Sequence, residues 1–350
     1  MNESLIGLRL AGLATGIVLL LWAFFRFRKA LIARSEALLA FLFATCLVLV
    51  SIFPASVNLA AQILALDNRQ FGRIIVLLVG SNLLLWVLLF SLRGKEYRRA
   101  REMDLLLRRL TLERFLDKGG DRHIAALTVV IPALDEAENL KELLPRMPKE
   151  VNGKKVGVLV VDDGSKDNTI EVVRGLGHGV ISNLFNRGGG ASLRLGYDTA
   201  KAGGAELVIT MDGDGQHLPE EIKALVTPIL EDKTDFVIGS RVMGTREKDS
   251  LVRWMGIHFF NGIINVLAGT KITDCSNGFR AFKVSELERV LLVQDQFHTA
   301  ELIIDAARKG IRIMEVPITV KRRLSGRSKK GKNLSYGVNF ARSIFRSWWR

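Results

Sequence analysis

The sequence predicts an α/β domain built on a mostly parallel sheet, preceded by an all-α transmembrane region. Three observations carry this expectation. From residue 127 to 239, β-branched apolar runs alternate with stretches of helical spacing. Near the N-terminus stand three apolar stretches, 5–25, 37–56 and 74–92, each close to the roughly 20 residues a helix needs to cross hydrocarbon. The polar clusters of the α/β region fall just after its apolar runs, where ligands gather in parallel sheets.

The 350 residues have room for more than one folding unit. A formal net charge of +14 suits nucleic acid, an anionic membrane or a phosphorylated ligand. Distribution separates these. Residues 321–350 carry ten Lys or Arg and no acid, and the cations flank apolar segments without any nucleic-acid motif, which argues against nucleic acid. Cys46 and Cys275 stand in unlike contexts and offer neither a disulfide framework nor a zinc site.

The first apolar stretch is too long for a signal peptide, lacks a basic start and has two more behind it. Arg26, Arg28, Lys29 and Arg34 follow it, and Arg93, Lys95, Arg98, Arg99 and Arg101 follow the third, whereas the intervening loop holds only Arg69 and Arg73. That asymmetry places the N-terminus outside and everything after residue 92 in the cytoplasm. The expected organisation is a three-helix membrane domain over 1–93 and a basic amphipathic helix over 94–122, closed by Gly119-Gly120. The α/β domain follows over 123–332, and a basic amphipathic membrane-interface helix, ending in Trp348-Trp349-Arg350, over 333–350. The 94–122 helix suits either the inner leaflet or a second copy of itself in a homo-oligomer. Residues 251–269 read as a helix that either dips into the leaflet or packs in the core.

Within the α/β region, strands are expected at 127–131, 156–161, 180–181, 207–211 and 236–239, with helices at 137–147, through Val172 and Val173, at 188–202 and at 219–231. Two phosphate motifs are excluded. Gly188-Gly189-Gly190 does not complete G-x-G-x-x-G, and the P-loop spacing from Gly326 to Lys332 is followed by Asn333 instead of Ser or Thr. The most informative run is Asp212-Gly-Asp214-Gly-Gln216-His217 after the fourth strand. Residues two apart in a strand point the same way, so two carboxylates at that spacing can grip one Mg²⁺ or Mn²⁺.

Eight segments, taken together, resemble the inverting family 2 glycosyltransferases of the GT-A (Rossmann-like) fold, nearest the dolichol-phosphate mannose synthases and other polyprenyl-phosphate glycosyltransferases. They are Val130-Ile-Pro-Ala-Leu-Asp-Glu-Ala-Glu-Asn139, Val161-Asp-Asp-Gly-Ser-Lys-Asp-Asn-Thr169, Asn186-Arg-Gly-Gly-Gly-Ala191, Met211 to His217, Ile238-Gly-Ser-Arg241, Asp274-Cys-Ser-Asn-Gly-Phe-Arg-Ala-Phe282, Glu315-Val-Pro317, and Arg323 with Gly326-Arg-Ser-Lys329. The resemblance covers about 127–332. It implies that Pro132, Ala133 and Glu136 line a nucleotide pocket and that Asp163, beside Asp162, reaches the base or ribose. Asp162 equally suits a helix cap. It further implies that Asp212, Asp214 and Gln216 hold the divalent metal, and that Arg241, Arg280, Arg323 and Lys329 surround the donor and acceptor phosphates. Asp135 stands where the family commonly has Asn, and Arg187-Gly-Gly-Gly190 lacks the family's usual lysine or tyrosine.

The implied reaction takes a GDP- or UDP-linked sugar to a polyprenyl phosphate. A phosphate acceptor with a second pKa near 6 is largely anionic already, so it needs arginines more than a base. A glycan hydroxyl or glycolipid acceptor is the alternative and would require a general base. Asp274 is the first candidate for that base and Glu301 the second; each also has a structural reading, a turn cap for Asp274 and an ion pair with Arg308 or Lys309 for Glu301.

Overall fold

All five apolar runs expected as strands are strands, as their β-branched composition favours. The computed structural model describes residues 3–28, 34–53, 70–246, 251–296, 298–325 and 333–349, with some side chains in these segments also left out. The loop cations Lys29 and Arg69, the side chains of Arg26, Arg28, Arg34, Arg73, Arg93, Lys95 and Arg98, and Lys329 lie outside the described residues. The chain divides into two compact units, Met1–Leu105 and Leu106–Arg350.

The first unit holds α1 (Glu3–Arg28), α2 (Arg34–Ile52) and the first part of α3 (Gln70–Asp117), which runs unbroken through the unit boundary. Glycine lets α2 lie close on α1: a Cβ at Gly16 would stand 2.6 Å from Val48 Cγ2 and 3.2 Å from the Ala44 carbonyl oxygen. Ala23 and Ala44 are fully buried, while Val18, Leu21, Phe25, Leu38 and Leu42 are exposed. Among the described residues no helix is long and apolar enough to cross a membrane. The described side chains of α1 run only from Leu10 to Phe25.

In the second unit, α3 stops at Gly119, whose φ of 69° is a left-handed helix terminus. Its elements continue as β1 (Leu127–Ala133), α4 (Ala137–Leu143), β2 (Glu150–Val151), β3 (Lys154–Asp162), α5 (Thr169–Gly175), β4 (Gly179–Ser182), α6 (Gly189–Ala202), β5 (Leu207–Thr210), α7 (Ile222–Leu230) and β6 (Phe236–Arg246). They close with α8 (Leu251–Ala268), β7 (Arg280–Lys283), α9 (Val284–Leu287), α10 (His298–Arg308), β8 (Ile313–Val320) and α11 (Asn333–Trp349). The sheet runs β3-β1-β5-β7-β6-β8, with β4 and β2 both pairing with β3. β1 pairs in parallel with β3 and β5. β7 is antiparallel to both of its neighbours. This reversed strand was not expected: Arg-Ala-Phe-Lys is four residues long and carries no apolar run.

Period-two alternation sends Leu127, Val129 and Ile131 into the core on one face of the sheet and Val130 into the core on the other. Both faces are covered, so β1 is buried along nearly its whole length. The carboxyl ends of β1, β3 and β5, adjacent and parallel, therefore bring residues 133–136, 162–163 and 211–214 to one edge. The 251–269 segment resolves as a packed helix with one open side. Ile257 and Ile264 of α8 are buried and Phe260 meets Phe340 of α11 at 4.7 Å, while Met255, Phe259 and Val266 are exposed.

Candidate active site

β5 ends at Thr210, so Asp212 and Asp214 sit on the turn beyond the strand, and strand alternation is not what aims them. Two other sets of contacts do. The Asp212 N–H donates to His217 Nδ1 at 3.3 Å, which leaves Nε2 to carry the ring proton toward Asn277 Oδ1 at 2.9 Å. The ring stacks on Phe279 with centroids 5.0 Å apart. Asn277 in turn donates to the Gly239 carbonyl at 2.6 Å. Gly278 lies against the Asp212 carboxylate so closely that a Cβ there would stand 2.6 Å from Oδ1.

Asp214 faces a different neighbour. Arg323 donates to Asp214 Oδ2 from Nε at 3.3 Å and from a terminal nitrogen at 3.2 Å, and that same nitrogen reaches Glu136 Oε1 at 3.1 Å. One arginine thus joins the end of β1 to the turn after β5. The segment after β8 brings it there: Lys321 N–H donates to the Gln216 carbonyl at 2.9 Å, and Gln216 Nε2 to the Lys321 carbonyl at 2.9 Å. Asn139 completes the Glu136 corner by donating to Oε2.

The nucleotide-side residues are placed by backbone demands. Pro132 and Ala133 end β1 opposite Val161 and Asp162, and the Ala133 carbonyl accepts the Asp163 N–H at 2.8 Å. Asp163 takes the Arg187 and Gly188 N–H groups at 3.0 and 2.7 Å, plus Asn183 Nδ2 at 2.9 Å. It straps down the glycine-rich segment. Asp162 does not cap a helix: it accepts from the Gly164 and Ser165 N–H groups at 3.3 and 3.1 Å, while Asn168 is the N-cap of α5.

The remaining cations divide. Arg241 grips Asp274 in a bidentate pair at 2.7 and 2.9 Å, with the Asp274 side chain fully buried. Glu315 holds the same loop from behind, accepting Thr273 N–H, Thr273 Oγ1–H and Asp274 N–H at 2.7 to 2.9 Å. Burial pushes the Glu315 carboxyl up from its ordinary range, partly offset by those bonds. Arg280 corrects the expectation of a phosphate-facing cation. Each of its three nitrogens donates to a main-chain carbonyl, of Asn277, Thr299 and Cys275, at 2.7 to 2.9 Å. Burial lowers its pKa to about 10, so it stays charged near neutrality. Glu301 accepts the Val293 and Gln294 N–H groups, while Lys309 pairs with Asp305 and Arg308 donates to the Trp348 carbonyl, so neither cation supplies the ion pair expected for Glu301.

Among the described residues no three His, Cys, Asp or Glu side chains gather as a metal-binding group. Two hard carboxylates on one turn still suit Mg²⁺ or Mn²⁺, which take the rest of their shell from water and phosphates. The Arg323 guanidinium already rests on Asp214 and Glu136, so the corner is built for positive charge. His217, Asn277, Gly278 and Glu315 stood in the motifs without an assigned role; the partners of the last three are distant in sequence, and His217 joins Asp212 in its own motif to Asn277 60 residues away.

Residues 128–291 match the pattern of Glycosyl transferase family 2. The chain is 30% identical over 213 residues to the UDP-N-acetylglucosamine–dolichyl-phosphate N-acetylglucosaminyltransferase of Methanococcus voltae, covering 54% of this chain and 83% of the relative. The chain belongs to glycosyl transferase family 2. It is an enzyme, a glycosyltransferase. An uncharacterized protein of Methanocaldococcus jannaschii is 36% identical over 195 residues, or 54% of this chain and 79% of that one. The polyprenol monophosphomannose synthase of Mycolicibacterium smegmatis is 31% identical over 219 residues, 59% and 82% of the two chains. The fold is also that of glucosyl-3-phosphoglycerate synthase from Mycobacterium tuberculosis, solved with Mn²⁺ and UDP-glucose: TM-score 0.51, 19% identity, 64% of this chain and 77% of that one. The α/β unit therefore has a GT-A-like fold.

Proposed function

We propose that this glycosyltransferase moves one sugar from a GDP- or UDP-linked donor to a polyprenyl phosphate at the cytoplasmic face of a membrane, inverting the anomeric centre. The observation that carries this reading is the meeting of Asp214, Glu136 and Arg323, with Asp212 on the same turn, beyond the carboxyl ends of adjacent parallel strands. In the proposal Asp212 and Asp214, with Gln216 beside them, hold Mg²⁺ or Mn²⁺. Bound there, the metal supplies charge that stabilises the departing diphosphate. Arg323 stands where it can fork onto a phosphate oxygen.

The reading of the acceptor is supported by how the two candidate bases are engaged. Asp274 spends both carboxylate oxygens on Arg241, and buried Glu301 holds two main-chain N–H groups on Oε2, engagements that favour an acceptor needing no general base. A phosphate acceptor needs no such base. Two relatives named above act on dolichyl or polyprenol phosphates, which favours the same class here. The membrane setting rests on the first unit, where small residues face inward and large apolar ones outward, the arrangement of helices that pack in lipid. The flanking cations give the orientation, with the N-terminus outside.

Full-length protein supplied with Mn²⁺, UDP- or GDP-sugars and a polyprenyl phosphate should form a lipid-linked sugar, and Asp214→Asn should abolish it. Equal turnover with a soluble glycan and no lipid phosphate would overturn the acceptor. Full activity of Asp214→Asn would overturn the metal site.

A further inference from the structure

The two arginine–carboxylate pairs of the site differ in kind. Arg241 holds Asp274 at 2.7 and 2.9 Å, ordinary lengths for a charge-assisted pair, with 9% of its side chain exposed. Arg323 is shared between two carboxylates at 3.1 to 3.3 Å and is 20% exposed. The first is a fixed clamp. The second is long, divided and within reach of solvent, as an exchangeable contact must be. Asp214 and Glu136 are themselves 8% and 7% exposed, so each demands a nearby cation.

We propose that Arg323 is a built-in counter-cation on Asp214 that has to leave before a divalent metal can bind, and that a nucleoside diphosphate recruits the metal by giving Arg323 a new partner. The inference rests on the metal reading above and specifies how that site is regulated. Asp214 Oδ1 already accepts the Gln216 N–H at 3.2 Å, and both Arg323 contacts fall on Oδ2. A metal approaching Oδ2 meets a guanidinium, and the repulsion between the two cations is strong where water screens it little. What has to move is small. The backbone of the segment is tied to the turn by Lys321 N–H on the Gln216 carbonyl and Leu324 N–H on the Asp214 carbonyl, at 2.9 and 3.4 Å. Only the Arg323 side chain swings. A diphosphate beside Asp214 offers oxygens onto which the released guanidinium forks.

The consequence is a coupling: metal alone binds weakly, diphosphate alone binds weakly, and each strengthens the other by the same factor. In full-length protein in detergent, free Mn²⁺ is titrated by electron paramagnetic resonance with and without UDP or GDP. Arg323→Gln should bind Mn²⁺ alone about tenfold more tightly than the unmodified protein, and the nucleotide-induced gain should shrink by a similar factor. Arg323→Lys, which keeps the charge but cannot bridge two carboxylates, should fall between and serves if the glutamine variant does not fold. Arg322→Gln removes the same charge from the adjacent exposed position and should stay within about twofold of the unmodified protein. If Arg323→Gln binds Mn²⁺ no more tightly, while nucleotide still promotes metal binding to the unmodified protein, the counter-cation role is refuted and the metal site stands. An equal gain in Arg322→Gln refutes it too, as a general field effect. If no protein binds Mn²⁺ even with nucleotide, the metal site and the counter-cation fall together.

Discussion

Gly278→Ala separates the geometry of the turn after β5 from the stability of the fold. The added Cβ would stand 2.6 Å from Asp212 Oδ1 and 3.2 Å from its Cγ, and an ordinary contact begins near 3.4 Å, so the carboxylate must retreat by about 0.8 Å. The backbone does not object. Gly278 is not among the glycines with positive φ, so alanine is allowed there and even reduces unfolded-state entropy by ~0.4–1 kcal/mol. Displacement of a reacting or metal-holding group by about 1 Å costs on the order of 10²-fold in rate, or ~2.7 kcal/mol of transition-state stabilisation. The expected variant is therefore well folded and slow: kcat/KM down about 100-fold, Mn²⁺ requirement raised, and Tm within a few degrees of the parent. Sugar transfer as a function of Mn²⁺, beside a thermal melt, decides it. Unchanged kcat/KM would show that Asp212 does not act from the position described, and a collapse of Tm would make Gly278 a packing residue.

Three further outcomes follow from charged residues outside the turn after β5. Asp274→Asn leaves the buried Arg241 guanidinium without its counter-charge and should cost ~3–5 kcal/mol in denaturant unfolding, while the activity of the folded fraction falls less than tenfold; orders of magnitude lost at unchanged stability would instead make Asp274 the base. Arg280→Lys keeps the charge but cannot serve three carbonyls held at 2.7 to 2.9 Å, so stability should fall by about 3 kcal/mol in the same assay, and a neutral result would refute the clamp. Asp235 is held well below the carboxylate range, first by its bond with Arg312 and then by Lys283. A depressed folded pKa gives stability that is present above the unfolded value and lost as pH falls through the folded one. Asp235→Asn should therefore lower Tm at pH 7 and flatten the acid limb below about pH 4; melting curves that stay parallel to the parent from pH 2 to 7 would exclude this.

The α/β framework was legible because its signals are local. Val158 to Val161, Leu207 to Ile209 and the alternation of β1 each declare a buried strand in a few residues. The reversed strand β7 was not legible, since Arg280 to Lys283 gains its strand character only from neighbours 70 to 76 and 42 to 46 residues away. The same distinction governs the site. Asp212 and Asp214 announce themselves by spacing, but the partners that aim them, Gly278, His217 and Arg323, are set by tertiary pairing. Arg280 and Arg241 look alike in sequence. One is enclosed by carbonyls and the other by a carboxylate, and no local pattern distinguishes them.

The two departures from the family pattern acquire a physical meaning that bears on the donor. Asp135 has a φ of 48°, in the left-handed region that Asn and Asp enter most readily among residues with a side chain. Its Oδ1 accepts the Lys166 N–H at 2.7 Å and its own N–H donates to Ser165 Oγ at 2.8 Å, tying the end of β1 to the turn after β3. Asparagine in that place satisfies the same backbone and the same acceptor. The exchange is therefore a conformational equivalent and carries no information about the base. Arg187 is different. Two of the three glycines after it are held through their N–H groups: Gly188 by the Asp163 carboxylate and Gly190 by the Asp295 carbonyl at 2.8 Å. Only the Arg187 side chain is left to vary, and burial lowers its pKa despite the nearby Asp295. Arg187 is thus a half-buried cation beside Asp295, next to the glycine-rich segment that Asp163 straps down. Of the two departures, Arg187 is therefore the one whose exchange alters more than a tie between backbone segments.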